Sequence, residues 1–336
     1  MKIAVDAMGG DLGLRITIPG AVQAAKENDL DVVFVGAKEQ ISPEVARWGG
    51  KPSDFPIIDA PESVGMGDGM FALRRKKRSS IRIGIQLVRD GQADAFVSMG
   101  NTAAVVAMAR QILGPLPGVN KPALSLLIPT LKGHTLLLDV GANANCQTED
   151  LAQFAVMGKV FMEQVMGRPN PSVALMSIGE EEGKGNELTR QTFDRLSVSG
   201  LNFIGNIEGK DLYAGKADVI VSDGFTGNVA LKVSEGVIET LFHMARREIT
   251  KNLFAKIGLL LMKGHLKRIY KRVDYSEYGG AQLLGLNGMC IVGHGRSNSN
   301  AVKNAVRLAR EFVVKRVQDR IREELARTVA PGEVKA

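Results

Sequence analysis

The stretch Ala217-Asp218-Val219-Ile220-Val221-Ser222-Asp223-Gly224-Phe225-Thr226-Gly227-Asn228, with Val229, Ala230, Leu231 and Lys232 after it, decides the fold. A β-branched apolar run feeds two glycines and then an apolar-periodic segment, which predicts a buried strand, a tight turn and a helix over Val229 to Leu253. The first N–H groups of a helix lack internal partners and stand at the positive end of its dipole, so such a turn suits an anion. Asp223, Thr226, Gly227 and Asn228 stand on it as candidate ligand-orienting residues.

The same grammar recurs outward from this stretch. Ile3 to Ala7 reads as a strand running into Met8, Gly9, Gly10 and Asp11, with a helix from about Arg15. Ala93 to Val97 leads into Ser98, Met99, Gly100, Asn101 and Thr102, then a small-residue helix from Ala103. Leu136 to Val140 ends in Gly141, Ala142 and Asn143, and Val173 to Ile178 runs into a Gly179 to Glu187 turn carrying Lys184 and Asn186. Further strands are expected at Asp31 to Val35, Phe55 to Asp59, Asn202 to Ile204 and Met289 to Val292. Helices are expected at Asp68 to Asp90, Thr148 to Val165 and Ser299 to Thr328, and Tyr278 to Ala281 reads as a turn. This alternation predicts one α/β domain over residues 1–336: a doubly wound, largely parallel sheet with helices on both faces (α/β/α), binding ligands beyond the carboxyl ends of its strands.

Composition narrows the function classes. In 336 residues, 45% apolar and 24% charged, nothing suggests disorder. No stretch approaches the roughly 18 to 20 apolar residues of a membrane span, and Met1 and Lys2 lead straight into a strand, so a cytoplasmic protein is expected. Cys146 and Cys290 are isolated, which argues for buried free thiols over a disulfide or zinc site.

The net charge of +7 is localised. Between Phe242 and Arg272, nine cations (Arg246, Arg247, Lys251, Lys256, Lys263, Lys267, Arg268, Lys271, Arg272) face the single anion Glu248, so this segment holds the whole basic excess. Residues 242–272 read as a protruding basic amphipathic insertion, with Leu259, Leu260, Leu261 and Met262 as an apolar group. Such a segment attracts nucleic acid, anionic lipid or an acidic protein. With aromatic residues at only 5%, base stacking is poorly served and nucleic acid is disfavoured. The run Arg74, Arg75, Lys76, Lys77, Arg78 reads first as a solvated helix face, with a ligand site as the alternative.

Five turns are expected to converge on one cleft: those at Gly9 and Gly10, Gly100 and Asn101, Gly141 and Asn143, Lys184 and Asn186, and Gly227 and Asn228. They offer amides, hydroxyls, backbone N–H groups and one lysine. A G-x-G-x-x-G fingerprint, a Walker loop, a G-x-S-x-G elbow and an H-E-x-x-H pair are absent from the sequence, and His134, His243, His265 and His294 are scattered. The parts that are present suit an oxyanion such as phosphate reacting with a carbonyl, with no metal and no cofactor.

Several longer motifs carry a family resemblance: Met1 to Asp11, Leu73 to Ser80, Ser98 to Thr102, Asp139 to Asn143, Lys184 to Leu188, Asn202 to Glu208, Ser222 to Leu231, Tyr278 to Leu286 and Ser299 to Val302. In order and from end to end, they resemble the PlsX family of bacterial phosphate acyltransferases. The resemblance implies a phosphotransacetylase-like α/β/α fold and formation of acyl-phosphate from acyl-acyl carrier protein and inorganic phosphate, early in phospholipid synthesis. It also implies a homodimer, peripheral contact of Leu259 to Met262 with an anionic membrane surface, and a downstream acyl-phosphate:glycerol-3-phosphate acyltransferase as partner. Joined to the turn chemistry, it makes Lys184 the phosphate-binding cation, and gives the thioester carbonyl to Asn228 with N–H groups around Gly227. Gly9, Gly10, Asp11, Ser98, Asn101, Thr102, Asn143, Asn186, Asp223 and Thr226 are the remaining substrate-binding candidates. The chain departs from the family pattern at Leu12, Gly13 and Leu14, where His, Ala and Pro are usual, and at Ala144, Asn145 and Asp150. A phosphotransacetylase-like enzyme using acyl-CoA is the alternative reading.

Overall fold

The computed structural model describes residues 1–51, 53–250, 255, 258–262, 264–265 and 278–328. The chain opens with β1 (Lys2–Asp6), α1 (Leu14–Asn28), β2 (Asp31–Gly36), α2 (Lys38–Arg47) and β3 (Ile57–Asp59). The expected helix over Asp68 to Asp90 is two helices, α3 (Met70–Arg75) and α4 (Ser80–Arg89), because Ser79 caps a fresh start by accepting from the Arg82 N–H. β4 (Ala95–Ser98), α5 (Thr102–Ile112), β5 (Ala123–Thr130), β6 (Gly133–Leu138) and α6 (Thr148–Gln164) follow. Next come β7 (Val173–Met176), α7 (Glu187–Ser197), β8 (Phe203–Ile207), β9 (Val219–Val221) and α8 (Gly224–Thr250). The chain then forms β10 (Ala281–Leu284), β11 (Met289–Val292), α9 (Ser299–Val314) and α10 (Val317–Thr328). The expected single closing helix breaks at Arg316, which adopts φ +51°.

The eleven strands of the described residues join one sheet in the order β3-β2-β1-β4-β11-β10-β5-β6-β9-β7-β8. One block, β3, β2, β1, β4 and β11, is parallel throughout, and so is a second block, β6, β9, β7 and β8. Between them β10 is antiparallel to both β11 and β5, and β5 is antiparallel to β6. Those reversals turn the second block to run opposite to the first. The alternating pattern anticipates neither β5 nor β10, and they fix the direction of everything after them.

Side chains alternate between two cores. Ile3, Val5, Val32 and Phe34 pack with α1, α2, α6, α7, α9 and α10 on one face, while Ala4, Val35 and Phe96 pack with α3, α4, α5 and α8 on the other. Strands buried on both sides explain their continuous apolar runs. Helix α8 lies on the less crowded face through Ala230 and Leu231. Its opposite side exposes Phe225, Val229, Val233, Val237 and Leu241 at four-residue spacing, with Val233 at 60%.

Leu259, Leu260, Leu261 and Met262 are exposed, Leu260 at 69% and Leu261 at 79%. Residues 258–262 and 264–265 are helical. Lys251, Lys256, Lys263, Lys267, Arg268, Lys271 and Arg272 of the expected basic insertion, and most of its stretch from Phe254 to Tyr270, lie outside the described residues. Among the described residues no helix is long and apolar enough to cross a membrane.

Candidate functional site

At the end of β1, Asp6 is buried. The Ser98 hydroxyl donates to its Oδ2 at 2.7 Å and the Met8 N–H to its Oδ1 at 3.1 Å, while the Gly100 N–H donates to Ser98 Oγ at 3.0 Å. A Cβ on Gly9 would stand 2.7 Å from Asp6 Oδ2 and 2.8 Å from the Gly100 nitrogen, so only glycine lets these two turns touch. The Asp11 N–H donates to the Gly295 carbonyl at 2.9 Å, which adds the turn after β11 to the group. Asn101 caps α5 by accepting from the Ala104 N–H at 3.0 Å, and its amide donates to the Met66 carbonyl at 3.0 Å. Thr102 stands exposed at the first position of that helix.

This edge also holds a histidine that sequence reasoning passed over as scattered. His294 Nδ1 accepts from the Arg296 N–H at 3.2 Å, and burial holds its pKa below the ordinary value, so the imidazole is neutral at pH 7. Arg296 pairs with Glu239 of α8 at 3.1 Å. The signal for it is the grammar itself, since Met289 to Val292 is a strand followed by Gly293, Gly295 and a capped helix, like the Gly9, Gly100 and Gly141 turns.

A second buried carboxylate ties the start of β5 to the turn after β6. Asp139 accepts from the N–H groups of Leu124, Gly141 and Ala142 on Oδ1, and from the backbone and side-chain N–H of Asn143 on Oδ2, all at 2.8 to 3.1 Å. Asn143 is consumed by this role, donating also to the Pro122 carbonyl at 2.8 Å and accepting from Arg110 at 3.2 Å. Asp223 caps α8, taking the Thr226 N–H at 2.8 Å and the Thr226 hydroxyl at 2.7 Å. Asn186 caps α7 through the Thr189 N–H at 2.9 Å. The Asn228 side chain is exposed and sits over Gly141. Lys184 is exposed, its carbonyl accepting from Ser177 Oγ at 3.3 Å, and no carboxylate among the described residues lies at ion-pair distance from its ammonium.

Three expectations are corrected. Helix α8 begins at Gly224, five residues before Val229, because the Asp223 cap starts it there. The Gly227 N–H donates to the Asp223 carbonyl at 3.0 Å and the Gly224 N–H to the Asn143 carbonyl at 2.8 Å, so neither can meet a substrate oxyanion. Gly227 is there for packing, since a Cβ would stand 2.0 Å from the Asp139 carbonyl oxygen.

Nor do the five turns share one edge. The Gly9 and Gly100 turns lie at the carboxyl ends of the first block, and the Gly141, Lys184 and Gly227 turns at those of the second, which runs the other way. Helices α5 and α8 link the two groups. Asn101 caps α5 at the first edge and Arg110, near its end, reaches Asn143 at the other; a separation of nine residues places the two about 14 Å apart along it. Helix α8 starts at the second edge and meets Arg296 of the first at Glu239.

Both thiols are held protonated by burial, Cys146 pushed up to about 11 and Cys290 to about 12, so neither is a nucleophile at neutral pH.

Residues 1–320 match the family model described as fatty acid synthesis protein. The phosphate acyltransferase of Thermodesulfovibrio yellowstonii is 44% identical over 98% of this chain and 95% of its own length. That of Dictyoglomus turgidum is 46% identical over 99% of this chain and 100% of its own. Among solved structures, a phosphotransacetylase from Streptococcus pyogenes superposes with a TM-score of 0.63 at 19% identity, covering 94% of each chain. The EutD phosphotransacetylase of Staphylococcus aureus gives 0.56 at 16%, over 93% of this chain and 94% of that one. At such identities these two report the fold alone.

Burial raises the Asp6 carboxyl above its ordinary value in the folded state. The folded chain therefore binds this proton more tightly than the unfolded chain, and Asp6 makes stability fall as pH climbs from about 4 toward that raised value. Asp6→Asn removes the titration, so its urea midpoint measured against pH should lack that fall; a profile parallel to the wild type would refute the assignment.

Proposed function

The chain belongs to the PlsX family, fatty acid synthesis proteins whose curated relatives are phosphate acyltransferases, and from that premise we propose that it makes acyl-phosphate from acyl-acyl carrier protein and inorganic phosphate, an early step toward phosphatidic acid. The observation that carries this reading is the 44 to 46% identity to such enzymes along essentially the whole chain. A phosphate oxygen attacks the thioester carbonyl carbon. The C–O bond forms, the C–S bond breaks, and the electron pair leaves on sulfur as a thiolate whose conjugate acid has a pKa of about 8.5. Such a leaving group needs little acid assistance, and the enzyme's task is to bring an anion to a carbonyl and exclude water.

Lys184 and Asn228 stand on turns at the same edge of the sheet, which supports pairing them. Lys184 holds the phosphate. The Asn228 side-chain amide donates to the carbonyl oxygen as it gains charge, a role in which one donor is worth about 3 kcal/mol. Asp223, Thr226, Asn143 and Asn186 shape that edge through the caps and turns they hold. Gly9, Gly10, Asp11, Ser98, Asn101 and Thr102 build the opposite one, beside the neutral His294, and serve the donor there.

The exposed apolar stripe of α8 meets its counterpart in a second copy, forming a homodimer; an unshielded patch of this kind is unusual on a monomer. Leu259 to Met262, exposed within the basic 242–272 insertion, dip into the headgroup boundary of an anionic membrane. That places a water-soluble donor and a lipid-bound acceptor, the glycerol-3-phosphate acyltransferase, on either side of one enzyme.

Incubated with palmitoyl-acyl carrier protein and inorganic phosphate, the protein should release free carrier thiol in a phosphate-dependent manner, and Lys184→Ala should raise the KM for phosphate at least tenfold. Full activity in a folded Lys184→Ala variant would remove the lysine from the mechanism, and turnover of palmitoyl-CoA alone would favour the coenzyme A reading. Replacing Val233 and Val237 together by Glu should halve the mass seen in light scattering; an unchanged mass would place the interface elsewhere. Liposome flotation with anionic vesicles should fail for the Leu260→Glu, Leu261→Glu double variant, and undiminished flotation would argue against membrane contact through this group.

A further inference from the structure

A cavity of about 530 Å³ lies between α3, α4 and α5, away from both groups of turns. Its polar lining is Arg74, Lys77, Arg82, Gln86 and Gln111, over a floor of Leu73 and Met108. No carboxylate is in that lining. The five-cation run that reads as a uniform solvated face is divided by the fold. Lys76 is tied to Asp68 at 2.5 Å and Arg78 to Asp59 at 3.3 Å, whereas Arg74 and Lys77 face the cavity. Among the described residues none offers Arg74, Lys77 or Arg82 a carboxylate at ion-pair distance. The Arg82 Nε is buried and has no hydrogen-bond partner. A buried donor left unmet is costly and three clustered cations repel, so both are relieved by an anion with several acceptor oxygens.

The position argues against the reacting phosphate as that anion. Ala107 and Gln111 line the cavity six and ten residues beyond Asn101, about 9 to 15 Å along α5 from the first edge. At the other end Gln111 follows Arg110, whose guanidinium donates to Asn143 beside the turn that carries Asn228. A group seated here is off the reaction centre but within reach of a long substrate. We propose that this cavity holds the phosphodiester of the phosphopantetheine arm of the acyl donor, with Arg74 and Lys77 at its mouth meeting the acidic surface of the carrier protein. The inference rests on the reading that acyl-acyl carrier protein is the donor. Arg82 takes the phosphodiester oxygens at depth, Gln86 and Gln111 face the amides of the arm, and Leu73 and Met108 pack its methylenes.

The test separates binding from turnover. Dye-labelled holo-carrier protein, which has the arm, and apo-carrier protein, which lacks it, are titrated with the full chain by fluorescence anisotropy, with inorganic phosphate as a competing probe. The holo form should bind at least tenfold more tightly than the apo form. Arg82→Gln and the exposed Lys77→Gln should each weaken holo binding about tenfold, Arg82→Lys should recover part of it, and Arg89→Gln, on an outward i,i+1 pair with Asp90, should leave it alone. In turnover the loss should fall on the KM for palmitoyl-acyl carrier protein more than on kcat or on the KM for phosphate. Equal holo binding by wild type, Arg82→Gln and Lys77→Gln would overturn the proposal even if the protein makes acyl-phosphate. So would displacement of the holo form by millimolar phosphate together with a raised KM for phosphate, since the cavity would then belong to free phosphate. Weakened holo binding in a protein that releases no thiol would uphold the cavity and refute the acyl-phosphate reading instead.

Discussion

Two carboxylates withdrawn from water at strand ends, Asp6 and Asp139, set the geometry on which the turns depend. Burying such a group is costly unless its oxygens are met, and here they are met mostly by backbone N–H groups of the turns that follow. Asp139 gathers donors from the start of β5 and from three successive residues after β6, so it joins two strands and a loop through one side chain. Asp6 does the same more sparingly, acting through Ser98 on Gly100. Neither carboxylate is available for chemistry. Each is spent on holding rigid a loop whose exposed neighbours, Thr102 at one edge and Asn228 at the other, are free to meet a ligand.

The reversal introduced by β5 and β10 has a comparable reach. An unbroken parallel sheet would have delivered all five turns to one edge. With two antiparallel strands in the middle, the carboxyl ends divide, and α5 and α8 run from one set to the other, on the face that carries four of the described helices against six. Any substrate that uses both sets must be long, or must lie along these helices. An acyl chain on a flexible arm has that length, and a compact oxyanion does not.

Much of this was legible in the sequence, for a physical reason. Strands buried on both faces are continuous apolar runs, and turns between strand and helix concentrate glycine and capping residues, so β1, β4, β7, β9 and β11 and their turns could be placed to within a few residues. The direction of β6 could not, because antiparallel pairing of β5 and β10 is decided by register against neighbours far away in the chain. Asn143, Asn186, Asp223 and Gly227 are ambiguous in the sequence, because residues that suit a ligand also suit a cap or a close backbone approach, and the fold uses them for the latter. His294 was overlooked because a lone histidine carries no spacing signal, although the turn it stands on does. Burial was the missing information for Arg82, an isolated arginine between Ile81 and Ile83 whose unmet Nε the sequence does not reveal.

The distribution of cations suits the proposed reaction, which joins two anionic partners. Phosphate and a thioester donor that itself bears a phosphodiester repel one another, and a single cationic pocket would bind either one at the expense of the other. Separate cations resolve the conflict only if they lie too far apart for one ligand to bridge by chance. Lys184 is on the turn after β7, at the carboxyl edge of the second block, while Arg74, Lys77 and Arg82 surround a cavity on the outer side of α5. Elsewhere cations at comparable places are neutralised, Lys121 by Asp150 at 2.7 Å and Lys216 by Asp211 at 2.8 Å. Lys121 and Lys216 are tied into the scaffold by these pairs, whereas Lys184, Arg74, Lys77 and Arg82 have no carboxylate at ion-pair distance among the described residues, which suits the proposal that their counter-charge arrives with a substrate.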